Sequence, residues 1–258
     1  MNKKIKYDEC FIAFLDILGV KNLVKDFDTK PELLQDIIKV LKLNRAFTDA
    51  NGKETSNGIL DIRSWFFSDS FVFLMEAEPI NLSHLFLVIR YLQDKLWENG
   101  YCLRGAVTKG KMYYPKKYEN ILLGQGMIDV YKLESEIAIY PRIVVDEELY
   151  KYIDIQNVDA YPFGESGKLK EFIKKDYDGI FFVDLLNEKI LRMQEEKNKK
   201  SNNNRFSIRW DPNNQSNFKK IKDSVEKTIK TNIENSDTKI KQKYEWLNSY
   251  LNKAKNNE

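Results

Sequence analysis

Two short stretches place a carboxylate where burial is expensive. "FIAFLDILGV", residues 11–20, sets Asp16 among apolar residues and a glycine, and "WFFSDSFVFL", residues 65–74, sets Asp69 at the bend of an apolar run. An unpaired carboxylate buried there costs several kcal/mol or stays protonated. Each acid alone reads equally well as a turn or helix cap. Together, at the ends of neighbouring apolar strands, they would meet and repel unless neutralised. A hard divalent cation does this with oxygen ligands, and Mg²⁺ commonly combines one or two carboxylates with substrate phosphates. Two such ions roughly 3.5–4 Å apart can clamp the attacking and leaving oxygens of a phosphoryl displacement. That chemistry needs no histidine, and this chain of 258 residues has one, His84, within the helical pattern "NLSHLFLVIRYLQ". Serine or cysteine triads and histidine-rich metal sites are poor candidates for the same reason.

The elements that must position these acids alternate between strand and helix periodicities. Residues 10–15 read as a strand ending at Asp16, 18–28 and 31–47 as helices, and 59–67 with 70–75 as a hairpin bent at Ser68-Asp69-Ser70. A helix over 81–98, two strands in "CLRGAVTKG" and "KMYYP", a helix over 125–138, and strands in "RIVVD" and "GIFFVDLL" follow. This order predicts an α+β sheet with helices on one face. Hydrophobic residues make up 42% and charged residues 31%, a globular balance. No apolar run reaches membrane-spanning length and no signal peptide is read, so the cytoplasm is expected, with Cys10 and Cys102 as reduced packing residues.

The charge is uneven. Residues 197–258 carry 15 Lys/Arg against 7 Asp/Glu, within a total of only +3. The expected organisation is a main domain over 1–194, a polar linker over 195–216 around "EEKNKKSNNNR", and a basic helical extension over 217–258. In that extension Phe218, Ile221, Val225 and Ile229, then Ile240, Tyr244, Leu247 and Leu251, recur at helical spacing, which favours packing over nucleic-acid binding.

The segments "FLDILGVKNLV", "FFSDSFVFL", "LRGAVTKGKMYY", "ILLGQGMIDVYKLE" and "AIYPRIVVDEEL", in that order over about residues 8–186, resemble the class III nucleotidyl cyclase family. The "DILG", "SDS" and "RGA" wording is most similar to the pyrimidine cyclases of bacterial antiphage defence. The resemblance implies a ferredoxin-like, palm-type sheet and conversion of a nucleoside triphosphate, UTP before CTP, to a 3′,5′-cyclic monophosphate and pyrophosphate. It implies two Mg²⁺ or Mn²⁺ ions held by Asp16, Asp69 and the backbone carbonyl of Ile17. It also implies a head-to-tail homodimer with shared sites and, indirectly, an effector that responds to the cyclic nucleotide. Carried over by position, the base-reading residues are Arg63 and Asn120 or Ile121, and the transition-state cation is Lys132. The usual ribose-orienting asparagine is replaced by Ile128. The late phosphate-binding lysine is missing, and Arg104, Lys174 or Lys175 are its candidate substitutes. Adenylate or guanylate cyclisation, and an inactive cyclase-like nucleotide-binding or dimerisation module, are the alternatives.

Overall fold

A computed structural model describes residues 7–41, 62–113, 121–161, 163, 167–187, 218–235 and 237–255. The expected linker over 195–216, residue Asn120 and the polar loop around residue 50 lie outside the described residues.

The sheet is built outward from one long strand. β1 (Tyr7–Leu18) is flanked antiparallel by β3 (Ser70–Glu76) on one side and β4 (Cys102–Tyr113) on the other. β2 (Arg63–Phe67) pairs with β3 at one edge. Beyond β4 come β5 (Ile143–Val145), parallel to it, then β7 (Phe181–Val183) and β6 (Ile173–Lys175). The order is β2-β3-β1-β4-β5-β7-β6, a seven-stranded mixed sheet. With α1 (Val20–Asp26), α2 (Pro31–Leu41), α3 (Pro79–Glu98), α4 (Gln125–Glu136), α5 (Glu147–Ile155), α6 (Phe218–Asn235) and α7 (Thr238–Lys255), it makes the expected α+β fold.

Alternation along β1 sorts the two faces. Phe11, Ala13, Leu15 and Ile17 join the larger core, which also takes buried residues of α1, α2, α3, α5, α6 and α7. Cys10, Ile12 and Phe14 point to the opposite face and pack with Val72, Leu74, Ala106 and Val130 of α4. Among the described helices α4 alone covers that second face, so the helices are not confined to one face as the sequence reading expected. The basic extension is part of the first: Val225, Leu247 and Leu251 are fully buried in the larger core. Burying each of these side chains is worth about 1.5–3 kcal/mol.

Two local features depart from the sequence reading. β1 runs on through Leu18 and so carries Asp16 inside the strand, not at its end. It stops at Gly19, whose φ of 87° lets the chain turn directly into α1. β4 is one uninterrupted strand where two were expected. Lys109-Gly110-Lys111 looks like a strand break, yet Gly110 is there for contact: a Cβ on it would lie 2.8 Å from the Cα of Gly126 in the first turn of α4. The helix therefore rests backbone-to-backbone on the strand, which only paired glycines permit. No described helix is long and apolar enough to cross a membrane.

Candidate functional site

Asp16 continues the Cys10–Ile12–Phe14 row of β1, so its side chain lies on the α4 face of the sheet. Its neighbours are set by register: Ser70 stands opposite on β3 and Arg104 opposite on β4. Asp69 sits one residue before Ser70, in the two-residue turn that joins β2 to β3. The amide of Ile17 donates to the carbonyl of Asp69 at 3.0 Å, which ties the turn to the strand position next to Asp16. Ser68, the other turn residue, has φ 59°, a left-handed conformation costing a non-glycine residue about 1–2 kcal/mol. The sheet thus brings both sequence-identified acids to the same end of β1, within electrostatic reach of each other.

Arg104 is the centre of the charge arrangement. Its Nε donates to Asp16 Oδ2 at 2.9 Å, and its Nη2 lies 2.8 Å from Glu134 Oε1 of α4, close enough for an ion pair without hydrogen-bond alignment. A longer contact of 3.5 Å runs from Nη1 to the Ala138 carbonyl. The side chains are sheltered, with exposures of 23% for Arg104, 17% for Asp16 and 6% for Glu134. Lys243 of α7 is half-buried and faces the same group.

The electrostatics show how well these charges balance. Burial pushes the Asp16 carboxyl up from its ordinary value; Arg104 and Lys243 pull it down, and Asp69 pushes it up. Glu134 is also raised, first by burial and then by Asp16 and Asp69, with Arg104 and Lys243 opposing. Lys243 is lowered by burial and by Arg104, against the pull of Asp16 and Glu134. Three acids face two bases, and two of the acids are held above their usual range. The cluster is short of positive charge.

That deficit is the test of whether the site suits a divalent metal. The donors are oxygens only, which suits Mg²⁺ or Mn²⁺. Among the described residues no group of three or more His, Cys, Asp or Glu side chains converges as a ready metal cage. Asp16 and Asp69 instead supply the one or two carboxylates of an ion that is completed by substrate oxygens. The residues present fit such an ion, provided Arg104 shares Asp16 with it.

The remaining sequence candidates stand apart from this point. Arg63 opens β2 opposite Leu74, which is opposite Ile12. It therefore shares the Asp16 face, but is two strands across and four residues along, roughly 16 Å away at ordinary strand spacing. Lys132 is exposed on α4, and Ile128, one turn earlier on the same stripe, is 62% exposed. Neither reaches the acids of its own chain along that stripe, because Val130 and Glu134 form the buried side of the helix. Ile121 is also exposed. Lys174 pairs with the fully buried Asp184 at 2.9 Å, so it is already committed.

Glu134 and Lys243 were not among the sequence candidates. Glu134 had a readable signal: with Met127 and Val130 it falls at i, i+3 and i+7 of α4, an acid on the core-facing stripe. Lys243 had a weaker one, since it borders the apolar stripe through Tyr244 and Leu247.

No protein-family model matches the chain, and no curated protein sequence matches it significantly. Solved structures do align. One is the guanylyl cyclase domain of the RhoGC fusion protein from the aquatic fungus Blastocladiella emersonii, at 13% identity and a TM-score of 0.39 over 69% of this chain and 94% of that one. Another is the catalytic core of a rhodopsin-guanylyl cyclase with converted specificity bound to ATPαS, at 12% identity and a TM-score of 0.36 over 69% of this chain and 95% of that one.

Proposed function

We propose that this chain is a nucleotidyl cyclase that converts a pyrimidine nucleoside triphosphate, UTP before CTP, to its 3′,5′-cyclic monophosphate. The observation that carries the proposal is that Asp16 and Asp69 lie at one end of the sheet within electrostatic reach of each other, where three acids face two bases. In the reaction the ribose 3′-oxygen would bond to the α-phosphorus as its hydroxyl proton passes to solvent water, the bond from that phosphorus to the bridging oxygen would break, and pyrophosphate would depart. Asp16, Asp69 and the Ile17 carbonyl would hold two Mg²⁺ or Mn²⁺ ions, whose positive charge stabilises the attacking and leaving oxygens. Arg104 would hold the Asp16 carboxylate in place and tie α4 to it through Glu134. Its fixed positive charge also offsets the phosphate charge gathering beside it.

Arg63 lies too far from these acids to serve them within one chain, and Lys132 is on the exposed side of α4, which supports a head-to-tail homodimer. In that arrangement one chain supplies the carboxylates and its mate supplies Lys132, beside the bridging oxygen, and Arg63, at the base. Arginine offers only donors and so favours an acceptor edge such as the uracil carbonyls. Asn120 would complete the base contact. Signalling to a cyclic-nucleotide-responsive effector in antiviral defence is the role proposed for the product.

A second reading is a cyclase-like module that binds a triphosphate without turning it over. The Arg104–Asp16 pair favours it, because that pair already satisfies one metal-holding acid. Incubation of the protein with each of the four ribonucleoside triphosphates and Mn²⁺ decides between the readings. The proposal expects cyclic product and pyrophosphate, with UTP the best substrate. Binding with no pyrophosphate from any nucleotide would establish the second reading.

A further inference from the structure

Lys243 stands where α7 meets the end of β1. Its neighbours fix it there. Tyr244 and Leu247 are buried in the larger core, and the Tyr244 phenol lies within electrostatic reach of Tyr101 and Cys102. Cys102 opens β4 opposite Leu18, two residues beyond Asp16. Lys243 itself is half-buried, within electrostatic reach of Asp16, Glu134 and Arg104. It also feels Asp237, an exposed acid that accepts from the Ile240 amide at 3.0 Å and so caps α7.

The two bases of the cluster are not equivalent. Arg104 is held at contact distance, 2.9 Å from Asp16 and 2.8 Å from Glu134. Lys243 closes no ion pair at contact distance among the described residues. Its ammonium is a point donor on a flexible stem, so it can turn to an incoming anion without breaking a pair. Loading the site favours that turn. Ions on Asp16 and Asp69 would neutralise acids that attract Lys243 and would repel its ammonium. Two divalent ions and a fully ionised triphosphate cancel in charge, so the tail of the triphosphate still needs a cation from the protein. Lys239, one turn earlier on the same stripe of α7, is exposed, and the first turn of that helix carries no acid. The positive charge therefore continues outward from Lys243.

We infer that Lys243 binds the β- and γ-phosphates of the triphosphate, which makes the basic C-terminal helix part of the substrate site. The inference rests on the reading that a triphosphate sits on ions at Asp16 and Asp69, and not on its turnover. As the bond to the bridging oxygen breaks, charge gathers on the departing pyrophosphate, and an ammonium held there stabilises it.

The test is equilibrium binding of Mn²⁺–tripolyphosphate to the full chain in excess Mn²⁺, followed by electron paramagnetic resonance, with Mn²⁺ alone as a separate arm. Tripolyphosphate carries the tail without a base. Lys243→Met should weaken the complex about tenfold or more, the loss of one charge-assisted contact. The same variant should bind Mn²⁺ alone as tightly as wild type or more tightly, because a like charge has gone. Lys243→Arg should stay within about threefold of wild type for the complex. Circular dichroism checks folding, and Lys243→Gln is read in the same way if methionine disturbs the packing. Affinity for the complex within about twofold of wild type in Lys243→Met, but lost in Asp16→Asn, overturns the inference and leaves the cyclase reading standing. Equal loss of Mn²⁺ and of the complex in Lys243→Met also overturns it, since Lys243 would then only prop the acids. No binding of the complex by wild type overturns both.

Discussion

Replacing Arg104 with methionine removes the guanidinium that joins Asp16 to Glu134 while keeping a long side chain in place. The cost follows from shelter. Breaking a fully buried ion pair costs about 3–5 kcal/mol, and exposed pairs are worth about 0–1 kcal/mol. With Arg104 at 23% exposure and its partners at 17% and 6%, the cluster sits between these limits. A loss of about 2 kcal/mol at pH 7 is expected, or about 4–8 °C in Tm. The pH dependence identifies the cause. Asp16 and Glu134 have folded-state pKa values raised above the unfolded values. The protons they hold in the folded state favour folding below the ordinary carboxylate range, and that contribution is lost as pH rises through the raised values. Without Arg104 both would rise further, so the variant is penalised most at neutral pH. Urea unfolding followed by circular dichroism should show the gap to wild type shrinking below about 1 kcal/mol near pH 4. A gap of the same size at both pH values would mean that Arg104 acts by packing and not by charge, and would refute the reasoning.

Three other outcomes follow from the geometry. Gly110→Ala should cost about 2–3 kcal/mol in urea unfolding, because its Cβ would meet the Gly126 backbone at 2.8 Å and force α4 off the strand. Ser68→Gly should gain up to about 1 kcal/mol in the same assay by relieving the left-handed turn residue, less what glycine adds to unfolded-state freedom. Burial pushes the Cys10 and Cys102 thiols up to about 12, so neither should react measurably with a thiol reagent at pH 8 until the protein is denatured.

The central hairpin and long helices were legible because their signals are local. Short unbroken apolar runs, buried on both faces of the sheet, give β1 and β3, and the helix expected over 81–98 is α3, Pro79–Glu98. Asp16 and Asp69 were legible because an acid inside an apolar run violates a local rule wherever the chain goes. β4 was misread for the opposite reason: Gly110 serves α4, a partner fifteen or so residues away in sequence, and its local signal imitates a break. The link from Arg104 to Asp16 and Glu134 depends on the β1–β4 register and on where α4 lands on the sheet, neither of which a single segment encodes. Lys243 was hidden in the same way, since nothing in the basic extension says that α7 reaches the end of β1.

Manganese binding in the presence of a non-hydrolysable triphosphate analogue probes the paired acids without requiring turnover. Electron paramagnetic resonance titration should show Mn²⁺ bound markedly more tightly with the analogue than without it, and that gain should vanish in both Asp16→Asn and Asp69→Asn. Equal Mn²⁺ affinity in wild type and both variants would contradict the assignment of these two carboxylates as the metal-holding pair.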